Sequence, residues 1–113
     1  MPSKDPKISL NDIKKNIELA RQFVADLSLD DFLNDRKTFY AVIRALEVIS
    51  EASRRLPESF QEKHPEIPWA DIAGAGNVYR HDYEEVLETM VWQTVQHSLT
   101  ALEKVVQEEL DRY

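Results

Sequence analysis

Apolar residues recur every three or four positions along two long stretches of this chain. Leu10, Ile13, Ile17, Ala20, Val24 and Leu27 form one seam; Phe39, Val42, Ile43, Leu46, Ile49, Ser53 and Leu56 form a second of similar length. That spacing holds side chains on one face of an α-helix, with Lys14, Lys15, Glu18 and Arg21 on the solvated side of the first. Ser9, with Asp12 three residues on, predicts the first helix start, leaving residues 1–7 as a flexible lead-in. Asp35 predicts the cap of the second, and Pro57 its end, because the residue before proline is pushed out of the helical region. A third pattern runs from Glu84 to the end, with Leu87, Met90, Val91, Thr94, Val95, Ser98, Leu102, Val105 and Val106 on one face. Trp92, Leu99 and Leu110 lie partly off that face, so its apolar surface is wider than one antiparallel neighbour covers. The excess predicts self-association through a helical interface.

Shorter elements join these helices. Ser28 opens a turn over Leu29-Asp30-Asp31-Phe32-Leu33, whose acidic residues suit the positive end of a helix. Residues 58–67 read as one helical turn and a connection closed by Pro65 and Pro68, and Pro68 suits the first position of another helix. That helix carries Gly74 and Gly76, each costing roughly 1 kcal/mol against alanine, which predicts close approach of another backbone or of a ligand. No stretch alternates with period two. The expectation is all-α: an antiparallel helical bundle of three long helices plus short helical turns, forming a single domain over 1–113 and dimerising through helix faces.

Composition narrows the classes. The 113 residues contain no cysteine, which excludes disulfides, thiolate metal sites and a cysteine nucleophile and fits a cytoplasmic setting. No apolar run approaches the roughly 18 residues that span a bilayer, and the start lacks an apolar signal core. The net charge is −7, from 14 Lys and Arg against 21 Asp and Glu. Binding nucleic acid through phosphates usually shows as a basic face, so net acidity, though it allows a local basic patch, points away from a stand-alone RNA or DNA binder and toward a basic protein partner or one that brings its own nucleotide.

Candidate chemistry concentrates in one place. His64, His81 and His97 lack the i, i+4 spacing of two ligands on one helical face, and no phosphate-binding or dinucleotide glycine motif is present, so neither metal nor cofactor is expected. What remains is Arg80-His81-Asp82-Tyr83. Histidine titrates near neutral pH, arginine holds phosphate, and a tyrosine hydroxyl donates hydrogen bonds or accepts a transferred group. In one continuous helix His81 and Tyr83 point about 200° apart. They share a site only if the helix ends near His81 or a second subunit completes the geometry. The plain alternative is a set of ordinary helix-terminal polar residues.

These residues, with Asp30-Asp31-Phe32-Leu33-Asn34-Asp35-Arg36-Lys37-Thr38, Ala41 through Ala52, His64-Pro65-Glu66-Ile67-Pro68-Trp69, Ile72-Ala73-Gly74 and Asn77, resemble the HepT-like family of small helical proteins. The resemblance implies the toxin of a toxin–antitoxin pair: a metal-independent endoribonuclease silenced by a minimal nucleotidyltransferase of the MntA type, which transfers AMP to a tyrosine. The family's histidine and tyrosine correspond to His81 and Tyr83. By analogy His81 is the acid/base, Tyr83 positions RNA and accepts AMP, and Asn77 and Asp82 support them. The family's arginine position is Gly76 here, and Arg80, four residues on, is placed to fill the same space. Arg36, Lys37 or Arg44 would add phosphate affinity. A degenerate site would gain RNA cleavage from Gly76→Arg. The alternative reading is a non-enzymatic interaction protein or accessory subunit of a nucleotidyltransferase, with Gly76 in place of the motif arginine.

Overall fold

The computed structural model describes residues 5–81 and 87–113, and every described element is helical. In chain order these are α1 (Pro6–Val24), α2 (Leu29–Leu33), α3 (Arg36–Arg54), α4 (Glu58–Lys63), α5 (Trp69–His81), α6 (Glu88–Gln93) and α7 (Leu99–Leu110). A π-helical turn, Thr94–Ser98, joins α6 to α7.

Both early seams form the core. Leu10, Ile13, Ile17, Ala20 and Val24 of α1 are buried against Phe39, Val42, Leu46 and Ile49 of α3, while Leu27 lies beyond the end of α1 and is half-buried. The helix opens earlier than the Ser9–Asp12 pairing predicts. Asp5 is the cap, its side chain accepting from the Lys7 backbone N–H at 3.0 Å, and Pro6 takes the first position. Proline there has no N–H to leave unsatisfied, so the helix gains a turn and Ser9 is buried inside it. Two other starts follow the sequence, whereas α5 begins at Trp69, one residue after Pro68, and α6 begins at Glu88, the expected start at Glu84 lying outside the described residues. Ser28 and Asp31 make a reciprocal capping box at α2. Asp35 caps α3, accepting from the Thr38 backbone N–H at 3.0 Å and the Thr38 hydroxyl at 2.6 Å.

The C-terminal helix departs from its predicted face. Val91, Val95, Leu99, Leu102, Val105 and Val106 are buried, whereas Leu87 and Met90 are exposed, as is Ser98. The π turn accounts for the exchange of Ser98 for Leu99 at the core, because it carries the chain on by one extra position there; Leu87 and Met90 precede it, and Leu102, Val105 and Val106 are buried as the spacing predicts. α1 and α3 pack together, α7 covers α1, and α5 packs on α3. Ion pairs tie the layers at the surface: Arg21 of α1 with Glu103 of α7, and Lys63 at the end of α4 with Glu109 of α7 at 3.3 Å.

Candidate active site

Two contacts set the position of α5. At its start the Trp69 indole N–H donates to the backbone carbonyls of His64 (3.0 Å) and Gln61 (3.1 Å), and the ring packs edge-on against Phe60. One turn later α5 comes down onto α3. Ser50 Oγ donates to the Ala73 carbonyl at 3.2 Å, and Gly76 is buried over the same serine. A Cβ added to Gly76 would lie 2.6 Å from Ser50 Cβ, closer than two carbons approach, so the glycine is required by packing. Gly74 differs: a Cβ there would meet nothing within 4 Å. The close approach expected of both glycines holds for Gly76 alone.

The crossing places Arg80 over α3. Its guanidinium Nη2 lies 3.9 Å from where a Gly76 Cβ would be, so it occupies space beside the missing side chain. Two carboxylates of α3 hold it there: Nε donates to Glu47 Oε2 at 3.2 Å, and Nη2 lies 3.7 Å from Glu51 Oε2. Glu47 also accepts from Arg44 Nη1 at 2.7 Å, giving a chain Arg44–Glu47–Arg80–Glu51 along an open polar groove. Glu47, Ser50 and Glu51 had no place among the expected site residues. Their i, i+3, i+4 spacing is the signal that could have found them, because it puts all three on one strip of α3 beside the apolar seam.

His81 is the last residue of α5 and is exposed, as is Asn77. Asp82 and Tyr83 lie outside the described residues, so the structure brings Arg80 together with Gly76 and the α3 carboxylates and leaves the His81–Tyr83 relation open. Tyr79 turns inward, and burial pushes its phenol above the ordinary value, so it stays protonated at neutral pH.

Two further groups bear on the site. Towards the N-terminus of α3, the Arg36 guanidinium lies 4.7 Å from the Phe39 ring centroid and 5.3 Å from that of Tyr40, and pairs with Glu88 at 2.9 Å. Hydrogen bonding by Tyr40, and after it the charges of Tyr40 and Glu88, raise its pKa above the usual arginine value. His64 caps α4 with its ring 5.1 Å from that of Phe60, and Glu109 Oε2 is 4.0 Å from its Nε2. His97 is exposed on the π turn. Among the described residues no group of three or more His, Asp or Glu converges as a metal site requires, and no helix is long and apolar enough to cross a membrane. An apolar groove runs between α5 and the C-terminal helix, from Ile72 and Leu99 past Ala75 and Tyr79 to Leu87 and Met90.

The chain has clear relatives. A family model described as ribonuclease HepT-like matches residues 13–109. A "Probable ribonuclease HepT" of Thermococcus cleftensis is 43% identical over 93 residues, which cover 82% of this chain and 84% of that protein. A protein of Methanocaldococcus jannaschii named as a candidate RNase is 41% identical over 95 residues, covering 84% and 78%. Another so named, from Caldanaerobacter subterraneus subsp. tengcongensis, is 36% identical over 109 residues, covering 96% and 97%. No solved structure matches significantly.

Proposed function

We propose, for a chain that belongs to the ribonuclease HepT-like family, that it cleaves RNA at a site formed by Arg80, His81 and Tyr83. The observation that carries this reading is the position of Arg80. Its guanidinium stands beside Gly76, where the family resemblance puts an arginine, and is fixed by Glu47 and Glu51 one residue before an exposed histidine. In metal-independent cleavage a ribose 2′-oxygen loses its proton and bonds to the adjacent phosphorus, the bond from phosphorus to the 5′-oxygen breaks, and that oxygen takes up a proton. His81 is suited to move one of these protons, and Arg80 to meet the charge building on the phosphate.

A homodimer completes the site in this reading. Val78, Leu87 and Met90 are 42%, 60% and 64% exposed along the apolar groove that adjoins the end of α5. Covering them with a second copy removes apolar surface from water and brings a second His81 near the seam.

The protein is then the toxin of a pair whose antitoxin is a minimal nucleotidyltransferase. That partner supplies ATP: the Tyr83 phenol oxygen bonds to the α-phosphorus, pyrophosphate leaves, and the phenol proton is lost, capping the site with AMP. Co-expression with a nucleotidyltransferase encoded next door tests this by intact mass. One added AMP on wild type and none on Tyr83→Phe is expected; no added mass on wild type, or an unchanged addition on Tyr83→Phe, contradicts it. The second reading, a non-enzymatic accessory subunit, is favoured by the packing of Gly76, which leaves the family's arginine position closed. Growth arrest on expression that disappears in His81→Ala separates the toxin from that accessory subunit.

A further inference from the structure

The exposed face of α3 carries a second feature beside Arg80. Arg36, Tyr40 and Arg44 follow one another at four-residue spacing, so their side chains line one side of the helix, and Arg44 joins Arg80 through Glu47. The stripe from Arg36 to Glu47 is about 16 Å long at 1.5 Å per residue. Tyr40 is 48% exposed, with the Arg36 guanidinium at its ring. An aromatic ring beside a planar cation offers a surface on which a nucleic acid base stacks, and such stacking needs little net charge. Charge alone would not make this a nucleic acid surface. Arg36, Lys37, Arg44 and Arg80 stand against Glu47, Glu51 and Glu88, so the stripe is only slightly positive, in a chain whose net charge is −7.

We propose that this stripe holds single-stranded RNA next to His81, with one base stacked on Tyr40 and backbone phosphates on Arg44 and Arg80. The proposal rests on the ribonuclease reading for its ligand class and adds where the strand lies and what recognises it. Glu47 has a defined part: it spaces the two arginines and screens their charge, so phosphate attraction is weak and the stacked base decides affinity. Double-stranded RNA is excluded, since its bases are paired and stacked on one another and present no free face to Tyr40.

The test is fluorescence anisotropy of the full chain with labelled 2′-O-methyl hexaadenylate, which keeps bases and phosphates but lacks the attacking 2′-hydroxyl. Tyr40→Ala is expected to weaken binding by about 5- to 150-fold, the range for losing one stacked base, while Tyr40→Phe, which keeps the ring, stays near wild type. Two phosphate contacts to a single strand give a slope of log affinity against log salt of about −1.4, and Arg44→Ala should lower its magnitude by about 0.7. An abasic hexamer should bind wild type no better than the intact hexamer binds Tyr40→Ala. Wild-type binding undiminished in Tyr40→Ala overturns the proposal even if the protein cleaves RNA, as does failure of wild type to bind the hexamer. Tyr40-dependent binding without any RNA cleavage by wild type would instead support the stripe and count against the ribonuclease reading.

Discussion

Gly76 and Ser50 meet where α5 crosses α3, and the space between them is too small for a second side chain: a Cβ on residue 76 would stand 2.6 Å from Ser50 Cβ. The Ser50 hydroxyl is used in the same contact, donating to the Ala73 carbonyl. The residue that looks like a lost catalytic arginine is therefore a packing residue in this chain, and the guanidinium nearest to it belongs to Arg80.

Gly76→Ala should destabilise the fold by about 1–3 kcal/mol, the usual cost of overpacking, despite the better helix propensity of alanine. Ser50→Gly should restore part of the loss in the double variant, whereas Ser50→Ala should not, because the offending Cβ stays. Urea unfolding midpoints check both. For the same reason Gly76→Arg must first part α5 from α3, so lost stability is its first expected effect rather than gained cleavage.

Gly74 predicts the opposite sign. With nothing within 4 Å of an added Cβ, Gly74→Ala should stabilise by about 0.5–1 kcal/mol. A lowered thermal midpoint would show that the residue has a contact outside the described chain, as across a dimer seam.

The cap of α3 sets a pH dependence. Hydrogen bonds from the Thr38 hydroxyl, then from the Thr38 backbone N–H, hold the Asp35 carboxyl below its ordinary value of 3.8. The unfolded chain therefore takes up this proton at a higher pH than the folded one. The cap's contribution is complete above the unfolded value and is lost as pH falls through the folded one. Asparagine caps without titrating, so the stability difference between wild type and Asp35→Asn should shift against wild type as pH falls below about 4. An identical difference at neutral pH and well below that range would contradict the assignment.

Much of the fold is legible from residue spacing. Leu10 to Val24 and Phe39 to Leu56 state their period plainly, and Ser28, Asp35 and Pro57 mark helix ends through local chemistry that acts within a turn. The start of α1 and the Ser98–Leu99 register of the last helix differ from the spacing for physical reasons. Asp5-Pro6 is a complete helix start that the stronger-looking Ser9 obscured, and the π turn at Thr94–Ser98 shifts the helical phase without a sequence marker. In the candidate site, His81 and Arg80 stand out by type, but Glu47, Ser50 and Glu51 gain their meaning only from the crossing of α5 over α3. Periodicity cannot report which helix lies across which.

RNA cleavage by purified wild type, Arg80→Ala and His81→Ala on one single-stranded substrate without added metal decides whether Arg80 and His81 form a ribonuclease site. Cleavage by wild type is expected, with a loss of about 10²- to 10⁴-fold in His81→Ala and of about tenfold or more in Arg80→Ala, each at unchanged thermal stability. Wild type that leaves the RNA intact, or a His81→Ala protein that cleaves as fast as wild type, would contradict it.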